Sequence, residues 1–256
     1  GRIANTVAAA RAELLASESA RDTVRIALTG AAKMPEDTIA LMRDKFGVEV
    51  REGYGLTEAS PVVSNSMGLE LRIGSVGRPV DGVELRLVDE SGEEVEDGDE
   101  GEIWVRGANV FAGYLNDPVA TSAVLTSDGW LKTGDLGVRD DDGYLFIVDR
   151  KKDLIKASGM QVWPRELEEV LAKHPAVAEV GVRGFADAAK GEIAVAFVVL
   201  RQGIEATEQE LREYCKQHLA FFKVPSRVVF RRELPKSMIG KVLRRMLTLE
   251  DPSAPA

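Results

Sequence analysis

Four short segments of the chain combine glycine turns with charged side chains. They are Tyr54-Gly55-Leu56-Thr57-Glu58, Lys132-Thr133-Gly134-Asp135, the run from Val148 to Gly159, and the run from Pro235 to Lys241. Ionised carboxylates such as Glu58 and Asp135 accept hydrogen bonds or bind hard cations such as magnesium. Lysines can neutralise anionic oxygens where a transition state accumulates charge. These residue types fit chemistry on a negatively charged substrate.

The densest charge lies between Asp149 and Lys156. Blocks of charge are usually solvated faces or linkers. This one stands directly between an apolar strand-like run that ends at Val148 and a turn at Gly159. We therefore predict a boundary between two domains, 1–151 and 152–256, with the charged cluster as a hinge.

Composition limits the class of protein. The chain has 256 residues, enough for one large or two modest domains. Its net charge of −9 argues against binding nucleic acid or an anionic membrane through a basic face. A single cysteine, Cys215, excludes an intrachain disulfide and a multi-thiolate metal site. We expect Cys215 to be a buried packing residue and the protein to be cytoplasmic, with peripheral attachment to a membrane left open.

The elements that must position these side chains follow from the hydrophobic pattern. A strand-like run, 24–29, precedes a helix from Pro35 to Phe46 and a second strand at 48–50, which is typical of one crossover in a parallel sheet. Ligands of such sheets lie at the carboxyl ends of the strands. Both loops that follow these strands, at Gly30 and at Tyr54, should therefore lie side by side.

The pattern changes twice further along the chain. From about residue 71 to 151, alternation and turns predict a mainly antiparallel β subdomain. After residue 151, a helix starting at Pro164, strands at 177–182, 193–200 and 227–230, and a helix at 208–219 predict a small α+β domain. The expected fold class is thus an α/β piece plus a β-rich subdomain, followed by a small α+β domain. No run of apolar residues is long enough to span a membrane.

Taken together and in this order, the four segments resemble motifs of the adenylate-forming superfamily, which contains acyl-CoA synthetases, luciferases and peptide-synthetase adenylation domains. The runs 149–155 and 161–166 look most like the fatty acyl-CoA synthetases. The resemblance implies the use of ATP, Mg²⁺ and coenzyme A. A carboxylic acid would become an acyl-adenylate and then pass to the thiol of coenzyme A, and the expected acid is a fatty acid.

The resemblance also implies roles for residues of the larger domain. Glu58 would hold the metal and Thr57 would contact phosphate, although Thr57 could instead cap a short helix near Glu58. Asp135 would accept hydrogen bonds from both ribose hydroxyls. The remaining nucleotide contacts would come from Gly30, Ala31, Ala32, Tyr54, Gly55, Tyr144, Ile147 and Arg150. Of these, Tyr144 and Ile147 could simply belong to the β core.

In the smaller domain, Lys241 would neutralise the carboxylate and α-phosphate oxygens during adenylation. Lys152 matches the hinge residue of the family. Rotation about it would exchange Lys241 for a loop containing Lys156, Gly159 and Gln161, which would serve the thiol half-reaction. His174 and His218 have no partner pattern, and we expect both to be structural.

The glycine-rich phosphate loop of the family does not occur in this sequence. We expect it to precede Gly1 in a longer chain, and we expect these 256 residues alone to be inactive. Two alternatives remain open. One is an aryl-acid or peptide-synthetase type of adenylating enzyme, and the other is a noncatalytic nucleotide-binding or interaction module.

Overall fold

The structure is a computed structural model that describes residues 24–30, 34, 36–237 and 240–250. Ala31, Ala32, Met238 and Ile239 lie outside the described residues. The chain divides into two compact units that meet in sequence between Lys151 and Lys152. They are called the large-domain unit, up to Lys151, and the small-domain unit, from Lys152.

The large-domain unit begins with a four-stranded sheet in the order β1-β2-β3-β4. Its elements are β1 (Ile26–Thr29), α1 (Glu36–Phe46), β2 (Glu49–Tyr54), β3 (Ser64–Asn65) and β4 (Arg78–Pro79). Strands β1 and β2 are parallel and are joined by α1, as the sequence predicts. Helix α1 is followed by Gly47, whose φ of 63° suits a residue without a side chain.

A second sheet of this unit is antiparallel and follows chain order. Its elements are β5 (Val83–Val88), β6 (Glu100–Gly107), the short helix α2 (Pro118–Val124), β7 (Leu131–Arg139) and β8 (Leu145–Arg150). One face packs into a core that includes Leu87, Ile103, Val105 and Leu145. Helix α2, capped by the Asp117 side chain, was not predicted from the sequence.

The small-domain unit contains a five-stranded sheet. Its elements are β9 (Ile155–Ala157), β10 (Met160–Val162), α3 (Pro164–Ala172), β11 (Val177–Asp187), β12 (Gly191–Leu200), α4 (Glu208–His218) and β13 (Arg227–Phe230). The strands run in the order β10-β9-β12-β11, and β13 pairs in parallel with β12.

Two helices cover one face of that sheet. Leu167 and Leu171 of α3 and Leu211 and Cys215 of α4 are buried in one cluster with the strands. Helix α4 starts with a capping box formed by Thr207 and Glu210. Cys215 is therefore a packing residue, as expected.

The predicted fold class is confirmed. Strand β11 begins at Val177 as predicted but continues to Asp187. The segment containing Lys156, Gly159 and Gln161, for which the sequence predicts only a loop, forms the β9–β10 hairpin. Within the part of the chain that the structure describes, every helix is too short or too polar to cross a membrane.

Candidate functional site

The centre of the candidate site is the carboxylate of Asp135. The register of β7 and β8 places Asp135 opposite Arg150, and Arg150 Nε lies 3.0 Å from Asp135 Oδ1. Asp135 is only 6% exposed, whereas the Arg150 side chain is about half exposed. An arginine partner orients a buried carboxylate through a charge-assisted contact.

A third residue reaches this carboxylate from the other sheet. The hydroxyl of Tyr54, at the end of β2, donates to Asp135 Oδ2 at 2.7 Å. Burial and the negative charge of Asp135 raise the pKa of the Tyr54 phenol far above its ordinary value. Tyr54 therefore remains a hydrogen-bond donor throughout the physiological pH range. The sequence predicts both residues as site residues but not this contact.

The turn that carries Asp135 is itself fixed. The Asp135 amide donates to Thr133 Oγ1 at 3.1 Å, and that hydroxyl donates to the carbonyl of Ile103 at 2.7 Å. Each oxygen of an ionised carboxylate has about two acceptor sites. Tyr54 occupies one acceptor site on Oδ2, and Arg150 occupies one on Oδ1. Each Asp135 oxygen can therefore accept one more hydrogen bond. This pattern suits two neighbouring hydroxyl groups.

Gly55 is required by the fold of its own loop. A Cβ at this position would lie 1.7 Å from the carbonyl oxygen of Pro61, a distance that no side chain tolerates. The sequence explains this glycine by close approach of a ligand. The structure adds a local reason, since the chain folds back on itself between Gly55 and Pro61.

Thr57 and Glu58 lie in a short 3₁₀ turn, Thr57–Ala59. The alternative in which Thr57 caps a helix is wrong, because Leu56 occupies the cap position and no side chain caps the turn. The hydroxyl of Tyr114 donates to Glu58 Oε1 at 2.9 Å, and the Phe111 amide donates to the Glu58 carbonyl at 2.8 Å. Glu58 is thus oriented by a neighbour that sequence reasoning missed.

The carboxylate of Glu58 fits one mode of magnesium binding. Among the described residues, no cluster of three or more His, Cys, Asp or Glu side chains could hold a metal ion alone. Magnesium commonly binds through one or two carboxylates and completes its coordination with phosphates and water. A single oriented carboxylate at Glu58 fits that mode rather than an all-protein cage.

Gly30 follows β1 and lies beside the end of β2. Its Cβ position would be 3.5 Å from the Gly53 carbonyl oxygen, and the Met34 amide donates to Glu52 Oε1 at 3.2 Å. The described ends of the two strands, at Gly30 and Gly53, therefore lie next to each other. Ala31 and Ala32, predicted with Gly30, lie outside the described residues.

Two candidates of the β subdomain contribute to packing. Ile147 packs against the buried core of the second sheet. The ring of Tyr144 is contacted by the guanidinium groups of Arg72 and Arg78, and its hydroxyl donates to the Glu70 carbonyl at 3.0 Å. Tyr144 is buried, so its visible role is structural.

In the small-domain unit, Lys156, Gly159 and Gln161 lie on the β9–β10 hairpin. Lys156 and Gln161 pair across it, and its turn residues Ser158 and Gly159 have φ values of 53° and 80°. Positive φ at both positions is the geometry of a type I′ turn. All three predicted residues are exposed. The predicted loop is therefore a rigid turn that presents its side chains to solvent.

Lys241 lies on a separate segment of this unit. Its amide donates to Ser237 Oγ at 3.1 Å, and its carbonyl accepts from the Ser237 amide at 2.8 Å. Gly240 precedes it with a φ of 86°. The backbone of Lys241 is therefore fixed by Ser237, while its side chain is exposed.

Lys152 lies in the 3₁₀ turn Lys151–Asp153, where it is exposed. Its neighbours are both paired. Lys151 Nζ lies 2.9 Å from Glu102 Oε2, and Asp153 Oδ2 accepts from Arg244 Nη1 at 3.0 Å. Glu102 and Arg244 were not predicted from the sequence as site residues. The sequence signal for Glu102 is weak, because the same strand also contains the charged residues Glu100 and Arg106.

Comparison with known proteins gives two family matches. Residues 1–115 match the AMP-binding enzyme family, and residues 166–241 match the AMP-binding enzyme C-terminal domain. A long-chain-fatty-acid–CoA ligase of Yersinia pestis is 45% identical over 90% of this chain and 41% of its own length. 4-Coumarate-CoA ligase 1 of Narcissus pseudonarcissus is 40% identical over 88% of this chain and 42% of its own length.

A solved structure is similar as well. The o-succinylbenzoate coenzyme A synthetase of Bacillus subtilis, in complex with ATP and magnesium ion, matches with a TM-score of 0.80 and 35% identity. The match covers 93% of this chain and 49% of that protein. The chain spans about two-fifths of the length of the curated relatives described above. On the two family matches and this common fold, the chain belongs to the family of AMP-binding enzymes.

Proposed function

We propose that the protein is an AMP-forming acid–thiol ligase that activates a carboxylic acid with ATP and transfers it to coenzyme A. Fatty acids are the favoured substrate class, because the Yersinia relative is a long-chain-fatty-acid–CoA ligase. The observation that carries the proposal is the Asp135 carboxylate, held by Tyr54 and Arg150 with capacity for two more donors. A ribose supplies two such hydroxyls.

The first half-reaction joins the substrate to the nucleotide. A carboxylate oxygen attacks the α-phosphorus of ATP, and pyrophosphate leaves. Asp135 would hold the ribose, and Lys241 would neutralise the anionic oxygens that approach each other. When bound, Mg²⁺ would neutralise phosphate charge, with Glu58 as its protein ligand.

The second half-reaction transfers the acyl group. The thiol sulfur attacks the acyl carbonyl carbon, the thiol loses its proton, and AMP leaves. In this proposal Lys152 is the pivot that replaces Lys241 by the hairpin of Lys156, Gly159 and Gln161. The presence of both exposed elements on one compact unit supports it, because a single rotation can then exchange them.

Calorimetric titration with AMP tests the nucleotide site. We expect Asp135→Ala to weaken AMP binding about 10- to 100-fold, because two hydrogen bonds to a charged group are lost. Asp81→Ala, which removes an exposed carboxylate from a turn, is the matched control. Equal affinities of the two variants would contradict the ribose assignment.

Activity separates an enzyme from a noncatalytic nucleotide-binding module. We expect pyrophosphate exchange in the full-length protein and none in these 256 residues alone. A full-length protein that binds AMP through Asp135 but never exchanges pyrophosphate would favour the noncatalytic module.

A second candidate is an aryl-acid–CoA ligase, favoured by the 40% identity to 4-coumarate-CoA ligase 1. Rates of acyl-CoA formation by the full-length protein, measured with medium- and long-chain fatty acids and with 4-coumarate, distinguish the two classes. A preference for 4-coumarate would replace fatty acids in the proposal. Transfer to a carrier protein but not to coenzyme A would favour a peptide-synthetase type of enzyme.

A further inference from the structure

The two residues that flank Lys152 are each tied by an ion pair to a different unit. Lys151 pairs with Glu102, and both belong to the large-domain unit. Asp153 pairs with Arg244, and both belong to the small-domain unit. Lys152 itself is exposed. The chain therefore passes from one unit to the other between two anchored residues.

The Glu102 anchor is attached to the nucleotide site. Its side chain is 10% exposed, and while Oε2 pairs with Lys151, Oε1 accepts from the Gly134 amide at 3.2 Å. Gly134 directly precedes Asp135. One buried carboxylate thus ties the last residue of the large-domain unit to the turn that carries the proposed ribose acceptor.

The Arg244 anchor follows Lys241 in the chain and is fixed to helix α3. Arg244 Nη2 and Nε donate to the two carboxylate oxygens of Glu168 in α3, at 2.6 and 2.9 Å. Glu168 Oε1 also accepts from the Val182 amide of β11 at 2.8 Å. The Arg244 side chain is 19% exposed. This bidentate pair fixes Arg244 to the body of the unit and leaves Nη1 for Asp153.

We infer that Glu102 and Arg244 are positioning residues that confine rotation between the two units to the backbone of Lys152. This inference rests on the proposed role of Lys152 as the pivot. Moving the pivot to residue 151 or 153 would break an ion pair with a largely buried member and leave a desolvated charge without its partner. Rotation at Lys152 keeps both pairs intact. The result is a pivot one residue long, which returns Lys241 and the hairpin to the same positions in each cycle.

Two substitutions break the anchors with little change in shape. In Glu102→Gln the amide oxygen can still accept from Gly134, but the charge that holds Lys151 is lost. In Asp153→Asn the pair with Arg244 loses its charge, while Arg244 remains bound to Glu168. Glu84→Gln, which breaks the exposed pair with Arg106, is the control.

The first measurement is the rate at which trypsin cleaves the native chain after Arg150, Lys151 and Lys152, followed by mass spectrometry. Local opening exposes such bonds, and loss of a partly buried ion pair should raise its population. We expect each anchor variant to be cleaved about three- to tenfold faster, and Glu84→Gln to behave as the native chain. The thermal midpoint of each variant reports whether the whole unit was destabilised instead. If Glu102→Gln lowers that midpoint strongly, Lys151→Met breaks the same pair from its exposed end, and cleavage is then compared after Arg150 and Lys152 only.

The second measurement is made on the full-length protein. Because the nucleotide contacts remain, we expect kcat to fall about three- to tenfold in both anchor variants, with the KM for ATP unchanged. Unchanged cleavage and unchanged kcat would overturn the anchoring roles. If the anchor variants gave that result but Lys152→Pro still separated the two half-reactions, the proposed pivot at Lys152 would remain supported. The inference and the proposed function therefore fail by different results.

Discussion

The two units differ in their balance of charge and in the burial of their candidate site residues. Residues 1–151 contain 16 basic and 28 acidic side chains, whereas residues 152–256 contain 17 and 14. In the acidic unit the central candidate, Asp135, is buried and held by two partners. In the basic unit Lys241, Lys156 and Gln161 are exposed.

This difference is consistent with the tasks proposed for the two units. A carboxylate that binds the same ribose through both half-reactions gains from being fixed before the ligand arrives, because ordering it then costs little. Side chains that must alternate between two transition states need fixed backbones and exposed ends. The β9–β10 turn and the bond between Lys241 and Ser237 supply such backbones.

Lys241→Ala should produce the largest effect and would break the comparison on its mobile side. Removing one preorganised donor typically lowers a rate about 10²- to 10³-fold. We expect that loss in adenylation by the full-length protein, measured by pyrophosphate exchange, and little loss in thiolation of a supplied acyl-adenylate. Lys216→Ala, which removes an exposed lysine from α4, is the control. An equal loss in both steps would show that Lys241 has no step-specific role.

Lys152→Pro tests whether one residue connects the fixed and the mobile unit. Proline fixes φ and restricts the residue before it. We expect overall turnover of the full-length protein to fall about tenfold or more, with one half-reaction retained, while Lys152→Ala remains close to the native rate. Single-turnover measurements of each half-reaction give the result. Unchanged turnover of the proline variant would remove the pivot.

Tyr54→Phe sharpens the comparison on its fixed side. It removes one donor from Asp135, so we expect AMP affinity to fall about three- to tenfold, less than for Asp135→Ala. Calorimetry measures the change. An unchanged affinity would mean that Arg150 alone orients the carboxylate.

The same variant predicts a pH effect. Because the folded pKa of Tyr54 is raised above its ordinary value of 10.0, its contribution to stability is complete below that pH and is lost as the pH rises further. The free energy of unfolding, measured with denaturant, should therefore fall less steeply with pH above about pH 10 in Tyr54→Phe than in the native chain.

Cys215 tests, without any substitution, how tightly the interior of the small-domain unit is packed around α4. Burial raises the pKa of its thiol to about 11, from an ordinary value of 9.0. The thiolate is the reactive form, so alkylation by iodoacetamide near pH 8 should be at least about 100-fold slower in the native chain than in denaturant. The thiol's contribution to stability is complete below pH 9.0 and declines toward about pH 11. Rapid native alkylation would show that the packing of α4 opens readily.

Much of this protein could be read from local patterns. Pro164 and the apolar residues Leu167 and Leu171 define a helix and its buried face, and the run 24–50 defines a parallel crossover. These elements follow from periodicities of a few residues, which the sequence displays directly. The motif residues that resemble the adenylate-forming superfamily, and hence Asp135, Arg150, Glu58 and Lys241, are equally visible.

The contacts that give those residues their environment are decided by tertiary structure. Tyr54 and Asp135 are 81 residues apart and meet because two sheets pack together. Glu102 reaches Lys151 across 49 residues, and Gly55 is enclosed by Pro61 through a loop that folds back. Periodicity fixes which face of a strand is buried, but it does not fix which strands become neighbours or which side chains meet across them. The sequence thus determined most of the elements and identified the candidate site residues, while long-range packing determined their partners.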